Sequence, residues 1–133
     1  MSRQTILASL AAVVLLVTAA PADAWTTAYG RTSARDRELR QGCHNYRYHY
    51  LVDAPTHDWT LETFLVDRTG EKVSSNVLSS DSEAERGHSR FGLCRWNTVP
   101  GRFTIRAKLV WYRDATGHTT WFKPSHFWMR RPS

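Results

Sequence analysis

The chain has little sulfur, no long apolar span and no short-range motif for a metal or a nucleophile, and each shortage narrows its class. Of 133 residues, two are cysteine and two methionine. A bilayer crossing needs ~20 consecutive apolar residues. The one extended apolar run, Ile6 to Val17, is shorter, is broken by Ser9 and gives way to polar sequence. The histidines, His44, His49, His57, His88, His118 and His126, include no HxH or HxxxH pair, the close spacings that zinc ligands usually show. Neither Ser89 nor Ser125 sits in a G-x-S-x-G setting. The carboxylates a glycosidase would need, Glu62, Asp67, Asp58 and Asp114, are scattered over turns and one strand face. There is no internal repeat and no low-complexity tract. The expectation is therefore no catalytic residue, no cofactor and no metal site, hence no enzyme, with a hydrolase built from a non-local site as the outlying alternative.

What is present begins with a leader. Arg3 precedes the apolar run, and Ala22-Asp23-Ala24 fits an A-x-A cleavage site, so residues 1–24 read as a secretory signal peptide and the mature chain as secreted and extracellular. Residues 25–133 then suffice for one domain. Export makes oxidation the default, and two cysteines allow one intramolecular pairing, so a Cys43 to Cys94 disulfide is expected. It would close a loop of roughly fifty residues, which the chain-entropy account values at about 4 kcal/mol before strain and residual unfolded structure reduce it.

All the aromatics, six Trp, five Tyr and five Phe, follow the leader, and eighteen Lys and Arg stand against twelve Asp and Glu. Rings can fill a small β core that has few Leu and Ile. They can also stack on a ligand, and the positive balance permits attraction to acidic polymers.

Period two dominates the pattern. Residues 25–42 are polar and form an arm or edge element, with a short capped helix over Ala34 to Gln41 as the other reading. Cys43 to Asp53 alternates Tyr46, Tyr48, Tyr50 and Val52 with Asn45, Arg47 and His49. Three tyrosines in a row suggest a half-wet face near a sheet margin, because a buried phenol needs a partner. Trp59 to Val66 is apolar on both sides and reads as an inner strand, and Asp67-Arg68-Thr69-Gly70 folds it onto a serine-rich edge strand over Glu71 to Leu78. Ser79 to His88 is a polar loop, and Arg90 to Thr98 a strand carrying Cys94 and Trp96. Pro100-Gly101 then turns a corner into Phe103, Ile105, Ala107, Leu109 and Trp111, whose outward partners Arg102, Thr104, Arg106 and Lys108 form a cationic row. Asp114-Ala115-Thr116-Gly117 is read as the hairpin loop. Of two registers, Trp111 opposite Trp121 or Leu109 opposite Phe122 with Phe103 opposite Trp128, the second keeps more apolar residues together and is preferred. Pro124 marks the return strand as an edge, as bulged, or as split between partners.

Together the strand spacing, the Trp on the strand after the first cysteine and the Pro-Gly-x-aromatic corner resemble immunoglobulin-like or fibronectin-like sandwiches. In the immunoglobulin pattern the second cysteine follows the corner aromatic by two residues, a place held here by Ile105. Gly42-Cys43-His44-Asn45-Tyr46, the strand Trp59 to Val66 and Pro100-Gly101-Arg102-Phe103-Thr104-Ile105 are also similar to small exported actinobacterial proteins, a likeness that implies export and fold and carries no catalytic residue. The fold expected is all-β, a single immunoglobulin-like antiparallel β-sandwich of about seven strands, with residues 43–133 as the sandwich domain. The function expected is a secreted binding module using Arg102, Arg106, Lys108, Tyr46, Tyr48 and Trp121. Its partner would be an acidic or carbohydrate cell-surface polymer, such as cell-wall polymer; the alternative is an accessory subunit that binds another exported protein through the edge near Pro124. Export argues against nucleic acid, and no transmembrane segment is expected in the mature chain.

Overall fold

Alternation along the longer strands decides the architecture: Cys43–Val52, Trp59–Val66, Arg86–Cys94 and Gly101–Arg113 each have one buried, largely apolar side, and these sides close on each other. A computed structural model describes residues 24–132, so the leader read from the sequence lies, apart from its last residue, outside the described residues. The strands are β1 (Gly30–Ser33), β2 (Arg37–Glu38), β3 (Cys43–Val52), β4 (Trp59–Val66), β5 (Lys72–Ser79), β6 (Arg86–Cys94), β7 (Gly101–Arg113), β8 (Thr116–Trp121) and β9 (Ser125–Arg130). They form a three-stranded sheet, β1-β3-β6, and a six-stranded one, β2-β9-β7-β4-β5, with β8 also on β7. The protein is an all-β sandwich. With β1, β3, β4, β6 and β7 as strands A, B, C, E and F and the β8–β9 arm as G, B lies between A and E, and F between C and G, as in immunoglobulin-type sandwiches.

The inward faces match the alternation. Trp59, Leu61, Thr63 and Leu65 of β4 and Phe103, Ile105, Ala107 and Leu109 of β7 are buried opposite Tyr46, Tyr48, Tyr50 and Val52 of β3 and Phe91 and Leu93 of β6. The half-wet tyrosine face expected from the sequence is therefore core. Each phenol finds its partner at a different depth: Arg40 N–H donates to Tyr46 Oη at 3.0 Å, Tyr48 Oη and Thr63 Oγ1 bond at 2.8 Å across the two sheets, and Tyr50 Oη donates to the Ala84 carbonyl at 2.8 Å. One donor is left over, since Trp59 Nε1 is buried without a partner.

Cys43 and Cys94 are bonded, and they are direct register partners on β3 and β6, so the disulfide staples two strands of one sheet. Residues 25–42 form two edge strands, with no helix over Ala34 to Gln41. β1 runs antiparallel to β3, whereas β2 runs parallel to β9, so the sandwich is not wholly antiparallel. Leu39, the one large aliphatic residue of that polar stretch, is fully buried and anchors it. Gly30 is obligatory where β1 enters: at φ 145°, a Cβ would collide with the Leu51 carbonyl and stand 2.5 Å from the Phe122 ring.

Neither register expected for the hairpin forms. The loop is the two residues Asp114 and Ala115, at φ 50° and 64°, between paired Arg113 and Thr116, which is type I′ turn geometry. Trp111 consequently faces His118, and Phe103 faces Phe127. Gly117, which the sequence reading placed in the loop, is inside β8. The Pro124 strand is bulged and keeps its partner: β8 and β9 both lie on β7, with a one-residue slip over Phe122-Lys123-Pro124.

Candidate functional site

Burial of Phe103, Ile105, Ala107 and Leu109 forces the even-numbered residues of β7 to the outside of the larger sheet. β7 is its central strand, between β4 and the β8–β9 arm, so Arg102, Arg106 and Lys108 sit mid-face with neighbours on both sides. Register places Glu62 and Trp121 beside Lys108, Phe64 beside Arg106, and Trp128 beside Arg102.

Contacts follow from that register. Lys108 Nζ is 3.0 Å from Glu62 Oε2. The Arg106 guanidinium lies 5.0 Å over the Trp121 ring, and Trp121 is 6.0 Å from Phe64, itself covered by Lys72 Nζ at 5.3 Å. Farther along, Arg130 lies 5.9 Å over Trp128, a ring 44% exposed. Such stacks attract the cation to the ring's negative face and hold it there. His126 Nδ1 and Thr104 Oγ1 are bonded at 2.8 Å, and burial, reinforced by the charge of Arg102, lowers the imidazole pKa below its ordinary value. With Glu62 tied to Lys108, Arg102 and Arg106 have no ion-pair partner among the described residues.

Of the six binding residues expected from the sequence, the structure gathers Arg102, Arg106, Lys108 and Trp121 on this face. It separates Tyr46 and Tyr48, which are 3% and 0% exposed on the inner side of the other sheet. It adds Phe64, Lys72, Trp128 and Arg130. Phe64 was legible as the large residue on the second side of an inner strand. Trp128 was not, because the bulge changes its parity relative to Trp121.

A second exposed ring lies at the disulfide end. The sequence reading put Trp96 on the strand of Cys94; it stands instead on a 3-10 turn, Arg95–Asn97, and is 79% exposed. Beside it, Gln41, Arg95, Pro100 and Arg131 border a hollow of about 690 Å³. Among the described residues, no group of three or more His, Cys, Asp or Glu is placed to hold a metal ion, and no helix is long and apolar enough to cross a membrane.

No protein-family model matches this chain, and no curated protein matches it. Among solved structures, dimeric latent PorU from Porphyromonas gingivalis superposes on 70% of this chain and 9% of its own length, at 14% identity and a TM-score of 0.43. A likeness that distant carries no argument about family, ligand or partner, so the function has to be argued from the faces of the sandwich themselves.

Proposed function

We propose that the protein is a secreted, non-catalytic binding module that holds an acidic or carbohydrate cell-surface polymer on the outer face of its larger sheet. The observation that carries this reading is the set of three rings, Phe64, Trp121 and Trp128, each beside a cation, from an adjoining strand for the first two and from its own strand for Trp128, with Arg102 and Arg106 free of acidic partners among the described residues. Trp128 is 44% exposed, while Phe64 and Trp121 are half-buried, so the open part of Trp128 is the main surface for stacking on the C–H face of a sugar. The cation above it then meets a carboxylate or phosphate on the same residue of the polymer. The disulfide supports an oxidising, exported setting, as do the leader read over residues 1–24 and the resemblance of short segments to exported actinobacterial proteins.

Retention on purified cell walls across a salt series tests the reading. Binding at low salt that weakens as salt rises is expected, because exposed charge pairs are screened over ~10 Å at 0.1 M. Arg102→Ser with Arg106→Ser should shift the release point to lower salt, and Trp121→Ala should weaken retention at every salt concentration. No retention of the parent protein at low salt overturns the proposal.

A protein-accessory role has one observation of its own. Among the described residues, the outer edge of β8 is paired only at its end, where Thr26 N–H donates to the Trp121 carbonyl and Thr26 bridges Phe122, and Thr116 to Thr119 are exposed. An open edge can accept a strand from another exported protein. Co-purification of such a protein, lost when Thr119→Pro blocks the edge, would favour that role.

A further inference from the structure

The other outer face of the sandwich has a different chemistry. On β3, burial of Tyr46, Tyr48 and Tyr50 turns Asn45, Arg47 and His49 to solvent; on β6, burial of Phe91 and Leu93 does the same for Arg86, His88 and Arg90. β1 contributes Arg31 and Ser33. Register then sets like against like: Arg47 directly faces Arg90, His49 faces His88 with their rings 6.2 Å apart, and Leu51 lies between Arg31 and Arg86.

Like charges directly across strands oppose sheet formation, so the sheet carries them at a cost to its own stability. No outward position on these three strands holds a carboxylate, and none of the four arginines has an ion-pair partner among the described residues. The positive region continues past the sheet edge. The guanidinium pKa of Arg37 on β2 is lowered by burial and then by the charges of Arg35, Arg40 and Arg47.

We infer that the outer face of the three-stranded sheet is a second binding surface, separate from the ring-bearing face, for a linear polymer of phosphate diesters without bases. Three observations select that occupant. First, the cations are arginine and not lysine, and the planar guanidinium fork takes a phosphate bidentately. Second, Arg31, Arg86, Ser33 and His49 surround a shallow hollow of about 180 Å³ floored by Leu51, a seat with two forks on one oxyanion. Third, outward positions on a strand recur about every 7 Å, so Arg86 and Arg90, two steps apart with His88 between them, stand about 13 Å from each other and engage anions that recur along a flexible backbone. No Trp, Tyr or Phe points outward from these strands, so the face has no platform of the kind that single-stranded nucleic acids use for their bases.

The test uses the full mature chain and poly(glycerol phosphate), with polygalacturonate, dextran sulfate and oligo(dT) as competing anions. Poly(glycerol phosphate) is expected to bind at 50 mM salt. Arg47→Thr with Arg90→Thr should weaken it at least tenfold and reduce the slope of log affinity against log salt by about 1.4, at roughly 0.7 per lost phosphate contact. The same pair should raise the thermal midpoint, since it relieves a like-charge contact; a merely structural pair would lower it. Arg102→Ser with Arg106→Ser, on the opposite face, should leave this affinity within twofold. That control separates the two surfaces: wall retention lost only in the Arg102 and Arg106 variant bears on the ring face alone. The inference is overturned if poly(glycerol phosphate) fails to bind, or if the Arg47 and Arg90 variant binds as the parent does. Equal or tighter binding of oligo(dT), dextran sulfate or polygalacturonate overturns it as well.

Discussion

Removing one hydroxyl from the centre of the core should cost less than removing its partner, and removing both should cost little more than removing the first. Tyr48 and Thr63 are both fully buried, on facing sheets, with Oη and Oγ1 2.8 Å apart. Thr63 Oγ1 also reaches the Asn76 carbonyl as a donor at 3.4 Å, so the Tyr48 hydroxyl is the donor of the pair. Tyr48→Phe keeps the ring and its 4.2 Å stack on Phe91, and leaves Thr63 with one partner. It should cost about 1 kcal/mol, the usual net value of a hydrogen bond. Thr63→Val keeps the shape and strands a buried phenol with no acceptor, at about 2 kcal/mol. In the double variant both groups are apolar and nothing is stranded, so its cost should be about 1 kcal/mol, which makes the coupling about 2 kcal/mol. Urea unfolding of the four proteins with a shared m-value measures all of these. Additivity within about 0.5 kcal/mol would refute the reasoning and mean that water reaches the phenol, the half-wet face that three alternate tyrosines suggest.

The other predictions concern the staple and two turns. Cys43→Ser with Cys94→Ser should destabilise by up to about 4 kcal/mol, since it frees a 51-residue separation in the unfolded chain; an unfolding midpoint unchanged by reductant would contradict this. Ala115→Gly should stabilise by up to about 1 kcal/mol, because Ala115 holds φ 64° in a turn that favours glycine at that place; a lower melting temperature for the variant would count against the turn assignment. Burial alone would raise the carboxyl pKa of Asp67. Hydrogen bonds from the Thr69 hydroxyl and from the backbone N–H groups of Thr69, Glu71 and Gly70 outweigh it and hold the pKa below the ordinary value. A folded pKa below the unfolded one stabilises above about pH 3.9 and is lost as pH falls through the folded value. Asp67→Asn should therefore be less stable than the parent at pH 7, and the two stability curves should converge in acid; a constant gap down to pH 2 would contradict the assignment.

Strand spans were legible unevenly from alternation: β4 matches to the residue and β3 and β5 to within one, whereas the strand read over Arg90 to Thr98 is β6 (Arg86–Cys94), which takes in the end of the polar loop expected over Ser79 to His88. Trp59 to Val66 is observed with the faces its pattern dictates, because Trp59, Leu61 and Leu65 fit only inside and both sides of the strand are apolar. The sidedness of the tyrosines was not legible, since the groups that satisfy them, Arg40, Thr63 and Ala84, come from three other segments. The polar stretch before Cys43 was legible only as an arm or edge element, because it pairs through its backbone at sheet edges. Leu39 is its one fully buried large side chain, with Thr32 Oγ1 bonded to Ser125 Oγ at 2.7 Å and Trp128 N–H donating to Asp36 Oδ1 at 2.8 Å. The hairpin loop was misplaced because Gly117 was taken into it, while the chain turns on Asp114 and Ala115, both at positive φ.

The ring-bearing face depends on a single residue of register. Trp121 and Trp128 are seven apart, and on a regular strand an odd separation sends side chains to opposite faces. One of the two would then lie in the core, and the outer face would hold a single indole. Opposite Arg106 and Ala107 of β7 stand three residues, Phe122, Lys123 and Pro124, and that one extra residue restores Trp128 to the side of Trp121. Proline suits the place because it has no N–H to leave unpaired in the interrupted ladder. Phe122 turns inward as the arm bends, fills the space beside Gly30, and has a backbone held by Ala107 on one side and bridged to Thr26 on the other. The bulge thus serves packing and surface at once: it buries Phe122, Phe127 and Met129 while keeping both indoles outside. Periodicity read across Pro124 as though the strand were continuous separates those indoles; read as two strands with a slip between them, it unites them with Arg102, Arg106 and Phe64.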